Sequence, residues 1–257
     1  MLAANRRKKI LSLINQKGSI KVSEIIDKFN ISSMTALRDL KALAKQGLVN
    51  KVHGGALKID EGLKQESPFE KKILESSEEK SSIAKYAATH FVNNEEILIL
   101  SGGSSVLSML PYLKQENLTL LTNGLETLRL ASKFMNSLKC TVMGAGGILR
   151  EKSLTFVGPV AESFFGRFKA DAVFLSATGL TLEEGLMDPD PLEKKVKRTM
   201  HRSASKLIAL VDSSKFGKRS LTTSFQLEEI DVLITDRAAP TPLIKKIKGI
   251  IPEVILT

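Results

Sequence analysis

From residue 79 onward the chain carries a repeating series of short apolar runs, at 97–100, 118–121, 141–143, 172–175, 207–211, 232–235 and near 254–256, with helix-length segments between them. A strand that buries both faces has no reason to alternate polar with apolar residues. Runs such as Ile97-Leu98-Ile99-Leu100 and Ala172-Val173-Phe174-Leu175 therefore read as interior strands of a mainly parallel sheet covered by helices on both sides. A chain of 257 residues with 42% hydrophobic content can fill such a core and a smaller second one, which excludes a disordered protein. None of these runs approaches the roughly twenty apolar residues that span a bilayer, so no transmembrane helix and no membrane partner are expected.

The first fifty-eight residues are of a different kind. They hold twelve Lys or Arg against three Asp or Glu, a net charge of +9 out of +10 for the whole chain. Charge so concentrated is the footprint of a nucleic-acid-binding domain joined to one that is not. Within it, Ile10, Leu11, Leu13 and Ile14 fall at helical spacing and predict a helix over 5–16 that Gly18 ends, with Arg6, Arg7, Lys8 and Lys9 at its start. The basic-then-apolar N-terminus has no small-residue cleavage site behind it, so it reads as an amphipathic helix of a cytoplasmic protein. Val22, Ile25, Ile26 and Phe29 predict a second helix over 22–29, and Ser32 is the natural N-cap of a third, which runs to Gln46 and stops at Gly47. On that third helix Ala36, Leu40 and Leu43 share one stripe, while Met34, Arg38, Lys41 and Lys45 share the opposite one.

Two short helices joined by a tight turn, the second with a basic outer face, form a helix-turn-helix whose second helix enters the major groove. Residues 48–57 read as two strands around a glycine turn, a wing placed to touch the DNA backbone or the minor groove. The candidate DNA contacts are Arg6, Ser33, Met34, Thr35, Arg38, Lys41, Lys45, Lys51, His53 and Gly54. A three-helix bundle with a solvated basic face is the bland alternative. The coincidence of cap, stop glycine, wing and charge asymmetry favours DNA.

Residues 59–78 are polar, with Ser67-Pro68 and Ser76-Ser77, and read as a linker with a short bridging helix. They divide a DNA-binding domain at 1–58 from an effector-binding and oligomerisation domain at 79–257. In open parallel sheets ligands sit beyond the carboxyl ends of the strands. Five of those ends carry small, polar or cationic groups: Ser101-Gly102-Gly103-Ser104-Ser105, Thr122-Asn123-Gly124, Gly146-Gly147 with Arg150, Thr178-Gly179, and Asp212 with Lys215. Glycines let backbone amides approach an anion, hydroxyls add donors, and a helix N-terminus adds a favourable dipole. Such a set suits a phosphorylated, hydroxyl-rich ligand. Glu193 and Lys197, four apart, share one helix face and read either as a surface ion pair or as part of the site mouth. Pro111 should kink or shorten the helix after the first loop. The single cysteine, Cys140, allows no internal disulfide and no metal cluster and reads as buried core; no metal and no cofactor are expected.

The run from Ser32 through Thr35-Ala36-Leu37-Arg38-Asp39-Leu40 to Gly54-Gly55-Ala56 resembles the DNA-binding signature of the DeoR family of bacterial sugar-metabolism regulators. The likeness extends over the whole chain: the family's D-x-G-T-T is Ser101 to Ser105 here, its T-N is Thr122-Asn123, its G-G-x-x-R is Gly146-Gly147 with Arg150, and its D-x-S-K-F is Asp212 to Phe216. Two departures stand out. Leu37 occupies one of the two arginine positions of T-I-R-R-D-L, which leaves Arg38 the best single candidate for groove contact, and Ser101 replaces the aspartate. The resemblance implies a winged helix-turn-helix joined to a ribose-phosphate-isomerase-like domain. It implies a repressor of a carbohydrate operon whose hold on operator DNA responds to a phosphorylated sugar or related metabolite. Because symmetric dimers commonly meet two half-sites about one helical turn apart, a homo-oligomer, at least a dimer, is expected. A sugar-phosphate isomerase fused to a DNA-binding head, which would lose turnover on mutating Glu193, and a ligand-independent activator or architectural protein remain as alternatives.

Overall fold

The computed structural model describes residues 3–17, 19–45, 49–52, 55–58 and 66–257. They fall into two compact units, Met1–Lys64 and Gln65–Thr257, so the second unit takes in most of the segment read as linker. Gly18, Gln46 and Gly47, the expected helix ends, and His53 and Gly54 of the expected turn lie outside the described residues.

The first unit runs α1 (Ala3–Lys17), β1 (Ser19–Lys21), α2 (Val22–Phe29), α3 (Ser33–Lys45), β2 (Val49–Val52) and β3 (Gly55–Lys58). Ile10 and Ile14 of α1, Ile25 of α2, and Ala36, Leu40 and Leu43 of α3 meet in one core, as their helical spacing requires. Ser32 Oγ accepts from the Thr35 amide at 3.3 Å, capping α3. Asn30 supplies the left-handed residue of the preceding turn at φ 49°, a conformation asparagine tolerates. The expected two-stranded wing has a third strand: β1 pairs antiparallel with β3, from Ser19 opposite Leu57 to Lys21 opposite Gly55, giving the order β1-β3-β2. Three residues with one buried apolar side chain, Ile20, leave no periodic signal in the sequence.

The second unit opens with α4 (Phe69–Leu74) and α5 (Ser77–His90), then β4 (Ile97–Leu100), α6 (Ser104–Leu107), β5 (Thr119–Thr122), α7 (Leu125–Ala131) and β6 (Thr141–Gly144). It continues through β7 (Ile148–Arg150), β8 (Thr155–Val157), α8 (Pro159–Phe165), β9 (Ala172–Leu175), β10 (Gly179–Thr181), β11 (Gly185–Asp188) and α9 (Pro191–Arg202). It closes with β12 (Leu207–Leu210), β13 (Thr222–Phe225), β14 (Val232–Thr235), α10 (Thr241–Ile247) and β15 (Glu253–Leu256).

The apolar runs of the sequence become one seven-stranded sheet, ordered β15-β14-β12-β9-β4-β5-β6, in which every neighbouring pair is parallel. Successive side chains go to opposite cores. Leu98, Leu100, Leu120, Phe174, Ile208 and Leu210 pack with Ile83, Ala84 and Ala87 of α5, whereas Ile99, Leu121, Val173, Leu175 and Ala209 pack with Ala161 and Phe165 of α8 and Val196 and Met200 of α9. Burial on both faces is why these strands lack alternation. Two small antiparallel groups, β7-β8 and β10-β11-β13, have no counterpart in the sequence reading. Their strands are three or four residues long, rich in Gly and Thr, and β11 pairs with a strand more than thirty positions away. As expected of Pro111, α6 spans only four residues and Leu110–Tyr112 forms a separate 3-10 turn.

Candidate functional site

In the first unit α3 presents Ser33, Met34, Arg38 and Lys41 to solvent and keeps Thr35 half-buried, beside the N-cap. Met34 is 81% exposed, an unusual position for a large apolar side chain unless another surface covers it. Lys45 and Lys51 sit on α3 and β2, and their side chains lie outside the description. Arg6 requires correction as a DNA contact. It is buried, and its Nε donates to Asp39 Oδ2 at 2.6 Å, with Arg7 Nε 3.4 Å from the other carboxylate oxygen. The pair clamps α1 to α3, so one basic residue of the cluster serves the fold. The aspartate that accepts it sits one residue after Arg38 and had no role in the sequence reading.

In the second unit the five strand ends do gather polar groups, in two capacities. Some build the loops. Asn123 accepts from the Gly102 amide through Oδ1 at 2.8 Å and donates through Nδ2 to the Phe156 carbonyl at 3.0 Å, tying the loop after β4 to β8. Thr122 Oγ1 accepts from the Gly124 amide at 3.0 Å. Gly102 lies against Gly124 and Thr155 so closely that any Cβ would collide with the Thr155 methyl, which is why this turn needs glycine. Gly179 opens β10, packed on the backbone of Lys218. The helix opened by Ser104 and Ser105 is too short to supply much of a macrodipole. Gly146 and Gly147 are exposed, and Gly147 takes φ 124°, open only to glycine.

Other groups retain bonding capacity. Ser101 Oγ and Asp212 Oδ2 are buried and meet no hydrogen-bond partner among the described residues. The second Asp212 oxygen accepts from the Ser214 amide at 3.1 Å, and Lys215 Nζ stands 4.0 Å from Oδ2.

The densest cluster surrounds Arg150, at the end of β7. Its Nη1 donates to Glu193 Oε1 at 2.6 Å and to Ser153 Oγ at 3.0 Å, its Nη2 donates to Glu66 Oε2 at 2.7 Å, and its Nε lies 3.3 Å from Asp190 Oδ2. Thr155 Oγ1 also donates to Glu193 Oε1, at 2.9 Å. Glu66 spends its other oxygen on Lys72 Nζ at 2.8 Å. Burial alone would lower the Arg150 pKa, but the Glu66 and Glu193 carboxylates hold it above its ordinary value. Burial likewise works to raise Glu193, and is outweighed by Lys197, Arg150 and the Ser153 and Thr155 hydroxyls, so Glu193 titrates below the usual carboxylate range.

Glu193 and Lys197 are both buried on α9, which rules out the surface-pair reading. Lys197 Nζ donates to Asp188 Oδ1 at 2.6 Å and to the Ser176 carbonyl at 2.7 Å, while Ser224 Oγ donates to Asp188 Oδ2 at 2.7 Å. Burial pushes Asp188 up despite the lysine beside it. At the start of α5, Lys80 is 2% exposed and donates to the Glu75 and Lys72 carbonyls, closing the C-terminal end of α4. Burial lowers its pKa against the opposing pull of Asp212. Glu66, Lys80, Asp188, Ser153, Thr155 and Asp190 were invisible to motif reading because no short pattern contains them. A lysine at an apolar helix position, as Lys80 is beside Ile83 and Ala84, was the one available signal.

A general base for isomerisation must be poised near neutral pH. Glu193, held ionised by two cations, has the opposite tuning.

The DeoR-like helix-turn-helix domain matches residues 6–61, and the DeoR C terminal sensor domain matches residues 75–237. The HTH-type transcriptional regulator GolR of Listeria innocua is 36% identical over 96% of this chain and 95% of its own length. IolR of Bacillus subtilis, an HTH-type transcriptional regulator, is 30% identical over 86% of each chain, and the HTH-type transcriptional repressor CsqR of Escherichia coli is 28% identical over 98% and 94%. Ribose 5-phosphate isomerase from Plasmodium falciparum superposes on 54% of this chain and 52% of its own at a TM-score of 0.39 and 16% identity, a likeness too loose to bear weight. By both of its domains and over nearly its whole length, this chain belongs to the DeoR family of DNA-binding transcriptional regulators.

Proposed function

We propose that the chain is a cytoplasmic, homo-oligomeric repressor of a carbohydrate-metabolism operon, released from its operator by a phosphorylated sugar or related metabolite. The observation that carries the ligand half of this reading is a pair of buried oxygens at two strand ends that accept or donate no hydrogen bond among the described residues, Ser101 Oγ and Asp212 Oδ2, the latter with the Lys215 charge 4.0 Å away. A buried polar atom without a partner costs about 1–3 kcal/mol, and a hydroxyl-rich ligand at the strand ends would repay it. Gly103, Ser104, Ser105, Gly146, Gly147 and Thr178 would line the approach, and Arg150 and Lys215 would meet the phosphate. On the DNA side, Ser33, Met34, Thr35, Arg38 and Lys41 would enter the major groove, with Lys45, Lys51, His53 and Gly54 as backbone contacts. Two heads on one oligomer would meet half-sites about one helical turn apart.

The test is fluorescence anisotropy of the full chain on its own upstream DNA, with and without pentose and hexose phosphates. The reading expects specific binding that falls steeply with salt and is weakened by at least one of these ligands. Salt-insensitive binding, or ligands that raise affinity, would overturn repression by release.

A further inference from the structure

We infer that the Glu66 carboxylate occupies, from within the chain, an anion subsite at Nη2 of Arg150, and that an oxygen of a phosphate monoester takes its place there when ligand binds. This rests on the reading of the strand-end site as one for a phosphorylated ligand. Three carboxylates surround the single guanidinium, and they are not equivalent. Asp190 and Glu193 are fixed at the start of α9, where Asp190 Oδ1 caps the helix by accepting from the Leu192 and Glu193 amides at 2.8 and 3.2 Å. Glu193 is further held by Thr155. Glu66 arrives from 84 positions upstream, at the point where the chain enters the sensor unit.

A guanidinium fork accepts carboxylate and phosphate oxygens in the same geometry, so the exchange keeps Nη2 bonded and swaps one anion for another. Glu66 also has somewhere to go. Its Oε1 is already bonded to Lys72 Nζ at 2.8 Å, which keeps a counter-charge on it after Oε2 leaves Arg150. Exchange at this position need not disturb α4, because Phe69 is buried beneath the helix and Lys80 holds its far end through the Lys72 and Glu75 carbonyls. The displacement is that of the Glu66 side chain, at the point where the chain enters the sensor unit.

Glu66→Gln and Lys72→Met in the full chain give opposite expectations. Binding of inorganic phosphate, ribose 5-phosphate and glucose 6-phosphate is measured by calorimetry. Removing the internal competitor in Glu66→Gln should tighten phosphate or its monoesters about tenfold, by abolishing the fraction of molecules in which the subsite is filled. Lys72→Met should weaken them, because Glu66 then has Arg150 as its main counter-charge. General damage to the fold weakens both variants and cannot produce opposite signs. In wild type, the Lys71 and Lys72 amides, which donate to the Pro68 carbonyl, should keep their hydrogen-exchange protection on ligand addition. Wild type that binds a phosphate ester while Glu66→Gln binds it no tighter overturns the inference and leaves the ligand reading intact. A Glu66→Gln chain that takes up none of the anions, inorganic phosphate at millimolar concentration included, overturns both.

Discussion

Arg38 and Asp39 are neighbours with opposite tasks, and their variants should separate cleanly. Arg38 is exposed on α3, so Arg38→Ala should cost about 1–3 kcal/mol of operator affinity, roughly a 5- to 150-fold loss, with no change in melting temperature. Asp39 is buried with Arg6, and removing one partner of a buried ion pair typically costs about 3–5 kcal/mol. Asp39→Ala should therefore unfold the small head and abolish DNA binding through stability, seen as loss of its helical signal at temperatures where Arg38→Ala is intact. Equal melting of the two variants would refute the division. The sequence exposed the cationic cluster but not this pairing, since only the packing of α1 on α3 shows which arginine faces inward.

A second residue-scale expectation concerns His201, whose ring stacks edge-on to Phe225 and whose buried Nδ1 meets no hydrogen-bond partner among the described residues. Burial, reinforced by Arg198, lowers its pKa below the ordinary value of 6.5. Between that value and the lower folded one, the unfolded chain binds the proton and the folded chain does not. Stability is therefore present above pH 6.5 and falls as the pH drops through the window. His201→Gln should flatten the decline of melting temperature between pH 7 and 5.5. Parallel profiles for the variant and wild type would show that the titration lies elsewhere.

At the scale of elements, α3 is the part of the chain most open to gain of function. Leu37 stands 39% exposed beside Arg38, where the family pattern has arginine. Leu37→Arg should tighten binding to DNA of any sequence and steepen the dependence of log affinity on log salt by about one unit, the signature of one more phosphate contact. An unchanged salt slope would mean that the side chain at 37 does not reach the duplex. The interior strands β4, β9, β12 and β14 were legible because they bury both faces and so appear as unbroken apolar runs, while the edge strands β6 and β15, more exposed, were legible from shorter apolar stretches. By contrast β1, β7, β8, β10, β11 and β13 were not. Each is three or four residues long, too short to show a period; β7-β8 and β10-β11 are short hairpins, while β1 with β3 and β11 with β13 pair across more than thirty residues. The strand-end loops were legible as glycine and hydroxyl clusters, but which of them build the fold was not: Asn123 and Thr122 spend their side chains on neighbouring amides and carbonyls.

For the whole molecule, a ligand that binds the folded sensor unit must stabilise it. At a concentration one hundred times its Kd, a sugar phosphate should add about 2.7 kcal/mol and raise the melting temperature measurably, with the rise diminished in Asp212→Asn, which removes the charge from a buried strand-end acceptor. A ligand-induced rise of the same size in that variant would place the site away from β12. The sequence by itself determined the division into a basic head and a nearly neutral sensor domain, the parallel sheet, and the positions of the loops at its carboxyl edge. Charge asymmetry, unbroken apolar runs and glycine turns are all local properties, readable within a few residues. Only the tertiary structure decided the pairing of charges: Arg6 with Asp39, Arg150 with Glu66, Asp190 and Glu193, and Lys197 with Asp188. Buried ions are matched by proximity in space, and partners as far apart as Glu66 and Arg150 meet only after the sheet and its covering helices have formed.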